Sequence, residues 1–399
     1  MTPPVAVGDA FDWSAARAVG AALAPAGPRD ERDALVAHVA GLRAAAAAAV
    51  PHVARVTGMV PADGRDLDAP DALARVLVVD RASWVRASAD TVRAMLDGVT
   101  VGAPDAPDGT RGTDGTDGTD GTDGRDAVGS ADGHGTADDG AASRPDALAQ
   151  LLGGVELGAV LSALSTRVLG QFDPYGESPG RLVLVAPNVL GVQRALGVPA
   201  DDFRLWVCLH EQTHAMQFAA APWLVDHLRA RLAALLDDTA SSTRALASGP
   251  WSTRARAWWG TARRFVAAGP QAPLTDRILT PAQREELAQV SAVMALLEGH
   301  ADVMMDAVGT AVVPSVDRIR EGFDARRRAG GRDAAVRRLL GMDQKLAQYT
   351  DGAAFVRAVR DAAGLEGLNR VWERPENLPT AREIHDPPAW VRRVGAARP

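Results

Sequence analysis

Only two short stretches of this 399-residue chain combine aliphatic density with the length of a strand: RVLVVD (75–80) and RLVLVAPNV (181–189). Almost everywhere else the apolar residues recur three or four apart, the spacing of a helix face. Two strand candidates are too few for a sandwich or a barrel. The sequence therefore predicts a predominantly α-helical α+β fold with a small β-sheet beside the central helices. Helices are expected over FDWSAARAVGAALA, DERDALVAHVAGLRAAAAAA and RASWVRASADTVRAMLDGV, then over DALAQLLGGVELGAVLSALSTRVLG. In the last of these, Gly154, Gly158 and Ser162 would let a neighbouring helix come close. ADDFRLWVCLHEQTHAMQF reads as a helix that starts with Asp201 or Asp202 as N-cap and ends near Ala220, and Pro222 opens the next one. Later helices are expected over PAQREELAQVSAVMALLEGHADVMMDAV, SVDRIREGFDARRR and DAAVRRLLGMDQKLAQY.

Composition divides the chain into three regions. Residues 1–101 form an N-terminal helical region expected to pack on residues 148–399, which hold every candidate for chemistry. Between them, residues 102–147 carry the run GTRGTDGTDGTDGTDGRD, with almost no apolar side chain to offset the entropy of ordering. The expectation there is a disordered Gly/Thr/Asp-rich insert. Its three-residue period lacks the apolar position that a calcium-binding β-roll repeat requires. The net charge of −7 belongs to this insert, which holds 11 Asp against 3 Arg and leaves 40 basic against 39 acidic residues elsewhere. A near-neutral remainder offers no global field for nucleic acid, and the arginines from Arg326 to Arg338 read as a solvated helix face.

A single cysteine, Cys208, excludes an internal disulfide and fits a reducing compartment. The opening MTPPVAVGDAFDW meets Asp9 and Asp12 before any apolar run, unlike a secretory signal. LRAAAAAAV and LLGGVELGAVLSAL read as too short or too interrupted to span a bilayer. A soluble, cytoplasmic protein with no membrane or nucleic-acid partner is expected. No feature of the sequence sets an oligomeric state.

The chemistry is concentrated in LHEQTHAMQF. His210-Glu211-x-x-His214 matches the H-E-x-x-H pattern, in which residues four apart on a helix aim two imidazoles at one ion. Glu211, about 100° round the helix, reaches a water at the ion without ligating it. Cys208 lies about 200° from His210 and cannot easily join. A catalytic zinc needs a third protein ligand and an open position. ALLEGHADVMMD can supply either Glu298 or His300, but not both, because the two lie on opposite sides of their helix. The Glu298 face also carries Asp302, placed to take the spare N–H of a ligating histidine from outside the ligand shell. That pairing assigns His210, His214 and Glu298 as ligands of Zn2+, with Glu211 as general base.

With both segments in view, the sequence resembles the zincin metallopeptidases, in the branch whose third ligand is a glutamate followed by an orienting aspartate. More narrowly it is similar to a bacterial zincin-like family often labelled as associated with deazaflavin cofactor biosynthesis. The resemblance rests on FRLWVCLHEQTHAMQF, APWL, LLEGHADVMMD, VPSVDRIREGFDARR and LNRVWERPENLPT, and spans most of the chain outside the insert. It implies a zincin-like metallopeptidase fold, zinc and a hydrolase activity, and fixes no substrate. Zincins commonly set a Tyr or His near the developing oxyanion. Of the two tyrosines, Tyr349 in KLAQYTDG is the better placed along the chain and Tyr175 the other. The expected function is a zinc-dependent metallopeptidase acting on a peptide or amide substrate, with RLVLVAPNV as the sheet edge that aligns it. The competing readings are a zinc amidohydrolase of a small molecule and a helical binding protein with a relict zinc site. The intact Glu211 argues against the relict site.

Overall fold

The computed structural model describes residues 5–101, 147–176, 178–247, 280–328 and 342–396. Residues 102–146, including His134, lie outside the described residues, as do Arg332, Arg337 and Arg338 and the side chains of Arg326–Arg328.

Three strands form the principal sheet, in the order β2-β5-β4. β2 (Arg75–Val79) runs parallel to β5 (Arg181–Val185), with Val76 beside Leu182 and Val78 beside Leu184. β4 (Gly170–Asp173) runs antiparallel to β5 on the other side, with Phe172 beside Leu182. The central strand is buried from Leu182 to Val185, which is why it reads as an unbroken aliphatic run. It is not the sheet edge expected from RLVLVAPNV. It also stops earlier, at Val185. Pro187 lacks an N–H and sits in the first turn of the helix Ala186–Leu196, so APNV opens a helix. Of the two outer strands it is β4 that lies against the helix Ala200–Ala220, and apolar spacing had placed its start at the end of a helix. A second, two-stranded sheet pairs β1 (Val5–Ala6) with β3 (Thr100–Val101).

Helices α1 (Trp13–Leu23), α3 (Arg81–Leu96) and α4 (Ala147–Leu164) pack together over one face of the sheet. There Trp84, Val85, Ala89 and Leu161 form a small core with Val183 and Val185. The contact of α1 with α4 is close because both are bare there: a Cβ on Gly20 would stand 2.7 Å from the Gly158 carbonyl. The other face meets a larger core from α2 (Arg32–Thr57), α5 (Ala186–Leu196), α6 (Ala200–Ala220), α7 (Trp223–Ala247), α8 (Pro281–Val308), α9 (Val316–Arg328), α10 (Met342–Asn369) and α11 (Pro387–Ala396). The first 101 residues therefore share both a sheet and a core with the rest. By length and composition alone α2 and α4 could cross a bilayer, contrary to the expectation from sequence. In the fold, however, α2 sends Leu42, Ala46, Ala49 and Val53 into the core, and α4 turns Gly154 and Gly158 toward α1.

The middle of this arrangement is α6. It has no side-chain cap: Pro199 stands at the N-cap, and Asp201 and Asp202 both lie in the first turn, where their charge still suits the helix dipole. The Asp202 carboxylate instead accepts from the Ser315 N–H at 2.9 Å, which holds the start of α9. Gln212 donates to the Ala46 carbonyl at 3.0 Å and fastens α6 to α2. α8 begins with a reciprocal capping box between Thr280 and Gln283. It crosses α10 at Gly299 and Gly352, so closely that a Cβ on either would collide with the other helix's backbone.

Candidate metal centre

α6 and α8 meet where His210, His214 and Glu298 converge. The Nε2 atoms of His210 and His214 are 3.2 Å apart, and Glu298 Oε2 lies 3.4 Å from the first and 3.6 Å from the second. Zinc bonds of about 2.0–2.1 Å at tetrahedral angles put neighbouring donors roughly 3.3 Å apart. The three donor atoms thus form a triangle of the size zinc requires, and their chemistry, two imidazoles and a carboxylate, suits it. Burial alone would lower the His214 pKa, but the hydrogen bond and charge of Glu298, with Glu211 and Gln217, raise it to about 9. Burial alone would raise Glu298, yet the two histidines outweigh it and hold the carboxyl well below the usual range.

His300 points elsewhere. It is wholly buried, and burial, with the charge on His214, lowers its pKa to about 3. Its Nδ1 lies 3.0 Å from Gln217 Nε2, and its ring meets Trp372 edge to face with centroids 5.1 Å apart. Glu298 is the residue of the pair that reaches the histidines. Asp302 lines the same cleft one turn further on. Among the described residues no hydrogen bond joins it to either histidine. The partner at His214 Nδ1 is Gln217, at 2.9 Å.

Glu211 turns toward the sheet. It is 7% exposed and lies against Gly170, the first residue of β4, where an added Cβ would come within 2.7 Å of the carboxyl. Burial raises its pKa; the charges of His210 and His214 and a hydrogen bond from the Phe172 N–H act against that rise. The carboxyl is thus held between the donor triangle and the edge strand, and touches the strand through its backbone.

In front of these groups opens a cleft of about 910 Å³. Its walls include Phe172, Trp206, Phe218, Phe323 and Met294, with Tyr175 on the β4 side. The Arg229 guanidinium stands over the Tyr175 ring at 5.6 Å, and burial raises the phenol's pKa. The Tyr349 side chain lies outside the described residues; among those described, Tyr175 lines the cleft. Sequence reasoning overlooked Gln217, Gly170 and the Phe172 N–H. Only Gln217 had a legible signal, because it lies three residues after His214 and shares that side of α6.

An H-E-x-x-H helix, a glutamate from a later helix and an edge strand beside Glu211 together have the arrangement of a zincin-type centre. Residues 11–391 match the family described as zincin-like metallopeptidase, and the chain belongs to that family. It is also similar to a crystal structure from Chloroflexus aurantiacus, provisionally described as a hydrolase with a novel fold. That likeness has 28% identity and a TM-score of 0.56, and covers 97% of this chain and 100% of the other. No curated protein matches the chain. Family and neighbour support a hydrolase, and the family implies a bound metal.

Proposed function

We propose that the chain is a zinc-dependent hydrolase of peptidase type, with His210, His214 and Glu298 holding the ion and Glu211 acting as general base. The observation that carries this reading is the donor triangle, 3.2 to 3.6 Å on a side, with a buried carboxyl beside it that belongs to none of its corners. A bound zinc supplies Lewis acidity, polarising a carbonyl and making water nucleophilic near neutral pH. Glu211 accepts the proton of the attacking water on its carboxylate and later delivers it to the departing nitrogen. The Phe172 N–H and the bare Cα of Gly170 hold that carboxylate in one place. Apart from the Phe172 N–H that Glu211 takes, the outer edge of β4 can align an extended substrate, the role first assigned to the neighbouring strand. Phe172, Trp206, Phe218 and Phe323 favour a substrate with a large apolar side chain near the scissile bond. An extended edge beside an apolar cleft suits a peptide better than a compact amide.

Metal analysis of the purified protein with cleavage of a peptide library tests the proposal. About one zinc per chain and cuts clustered next to aromatic or large aliphatic residues are expected. Stoichiometric zinc with hydrolysis of small amides alone would replace the peptidase by an amidohydrolase.

A further inference from the structure

Gln217 has no exposed surface, and its side chain is fully committed. The Leu297 carbonyl can only accept, so the Gln217 amide nitrogen must face it, at 2.9 Å. The amide oxygen then faces the opposite way, onto His214 Nδ1 at 2.9 Å. An amide oxygen can only accept, so His214 Nδ1 carries a proton, and in the neutral ring Nε2 is the nitrogen that offers the donor triangle a lone pair. The remaining amide hydrogen points to His300 Nδ1 at 3.0 Å. That leaves the His300 proton on Nε2, which has no hydrogen-bond partner among the described residues.

We propose that Gln217 is the positioning residue of the metal centre. It selects the tautomer and ring orientation of His214. Through Leu297, the residue before Glu298, it also holds the two ligand-bearing helices at one separation. The sequence reading gave the first of these tasks to Asp302. The inference rests on the zinc reading above, because a tautomer requirement at His214 matters only where Nε2 binds an ion.

The test measures zinc dissociation constants by chelator competition in the full chain, for the wild type, Gln217→Leu, Gln217→Glu and Asp302→Asn. Gln217→Leu removes the acceptor and should weaken zinc binding by about 10- to 100-fold. Gln217→Glu keeps an acceptor for the His214 N–H but loses both donors. It should bind zinc within about fivefold of wild type, while its metal-free form melts earlier because a carboxylate oxygen then faces the Leu297 carbonyl and His300 Nδ1 loses its donor. A purely structural role would instead make affinity follow melting temperature in both variants. Unchanged affinity in Gln217→Leu, or a loss confined to Asp302→Asn, would overturn the assignment. Should Gln217→Leu not fold, the zinc-loaded wild type labelled with 15N-histidine decides the matter. The His214 Nδ1 proton must appear there as a slowly exchanging imidazole N–H, and its absence would overturn the proposal. A wild-type chain that takes up no zinc would fail the zinc reading itself, and Gln217's role with it.

Discussion

His214 is the residue at which the metal centre becomes measurable by pH. In the metal-free protein its pKa is raised to about 9, with Glu298 outweighing the effect of burial. A raised value means that below about pH 9 the imidazole holds a proton that an incoming zinc must displace. Zinc affinity should therefore rise with pH, by up to tenfold per unit for the one proton released, and flatten above about 9. Isothermal titration in buffers of different ionisation enthalpy would count that proton, and an affinity independent of pH from 6 to 8 would contradict the assignment. The pairing of His210 with His214 was legible in the sequence, because i,i+4 spacing on a helix fixes which side chains share a face. Spacing left Glu298 and His300 as alternatives, and the preference for Glu298 rested on Asp302, whereas the partner at His214 Nδ1 is Gln217. The residues that press on the ligands were harder to read. Gly170 and the Phe172 N–H reach Glu211 through space from an edge strand, and no spacing rule within α6 can find them.

At the scale of elements, the site depends on how α8 is held. Gly299, between Glu298 and His300, crosses α10 at Gly352, and a Cβ added to Gly352 would strike the Ala295 carbonyl. Gly352→Ala must push the helices apart, at a cost of about 3 kcal/mol, because backbone rather than a flexible side-chain tip is in the way. The expected result is a melting temperature lower by several degrees together with weaker zinc binding, since Glu298 moves with α8. Unchanged zinc affinity in a destabilised variant would show that α6 alone sets the ligand geometry. Most helices were legible from apolar period, including the span of α8 from Pro281 to Val308. The sheet was not. β4 has four residues, too few for alternation to show, and the helical reading ran on past α4 into its first residue, Gly170. β5 was found but given the wrong place, since an aliphatic run marks a strand as buried, and a strand buried on both faces is more often central than an edge.

The molecule as a whole joins two layers across one small sheet: the α1–α3–α4 group on one face, and on the other a larger core through which α6 runs. The fold class was legible because composition left room for little sheet. How the N-terminal residues combine with the rest was not, because the parallel pairing of β2 with β5 joins positions about a hundred residues apart. What this architecture achieves is to bring a helix with two histidines, a second helix with a glutamate, and a strand edge to one point, with Glu211 facing all three. The central claim is that Glu211 works on the substrate's water and does not hold the metal. Zinc content and peptide turnover of Glu211→Gln, measured beside wild type and His210→Ala, test it most directly. Glu211→Gln should keep near-normal zinc with turnover lowered by at least about a thousandfold, and His210→Ala should lose both. Wild-type turnover in Glu211→Gln, or zinc lost as completely as in His210→Ala, would contradict it.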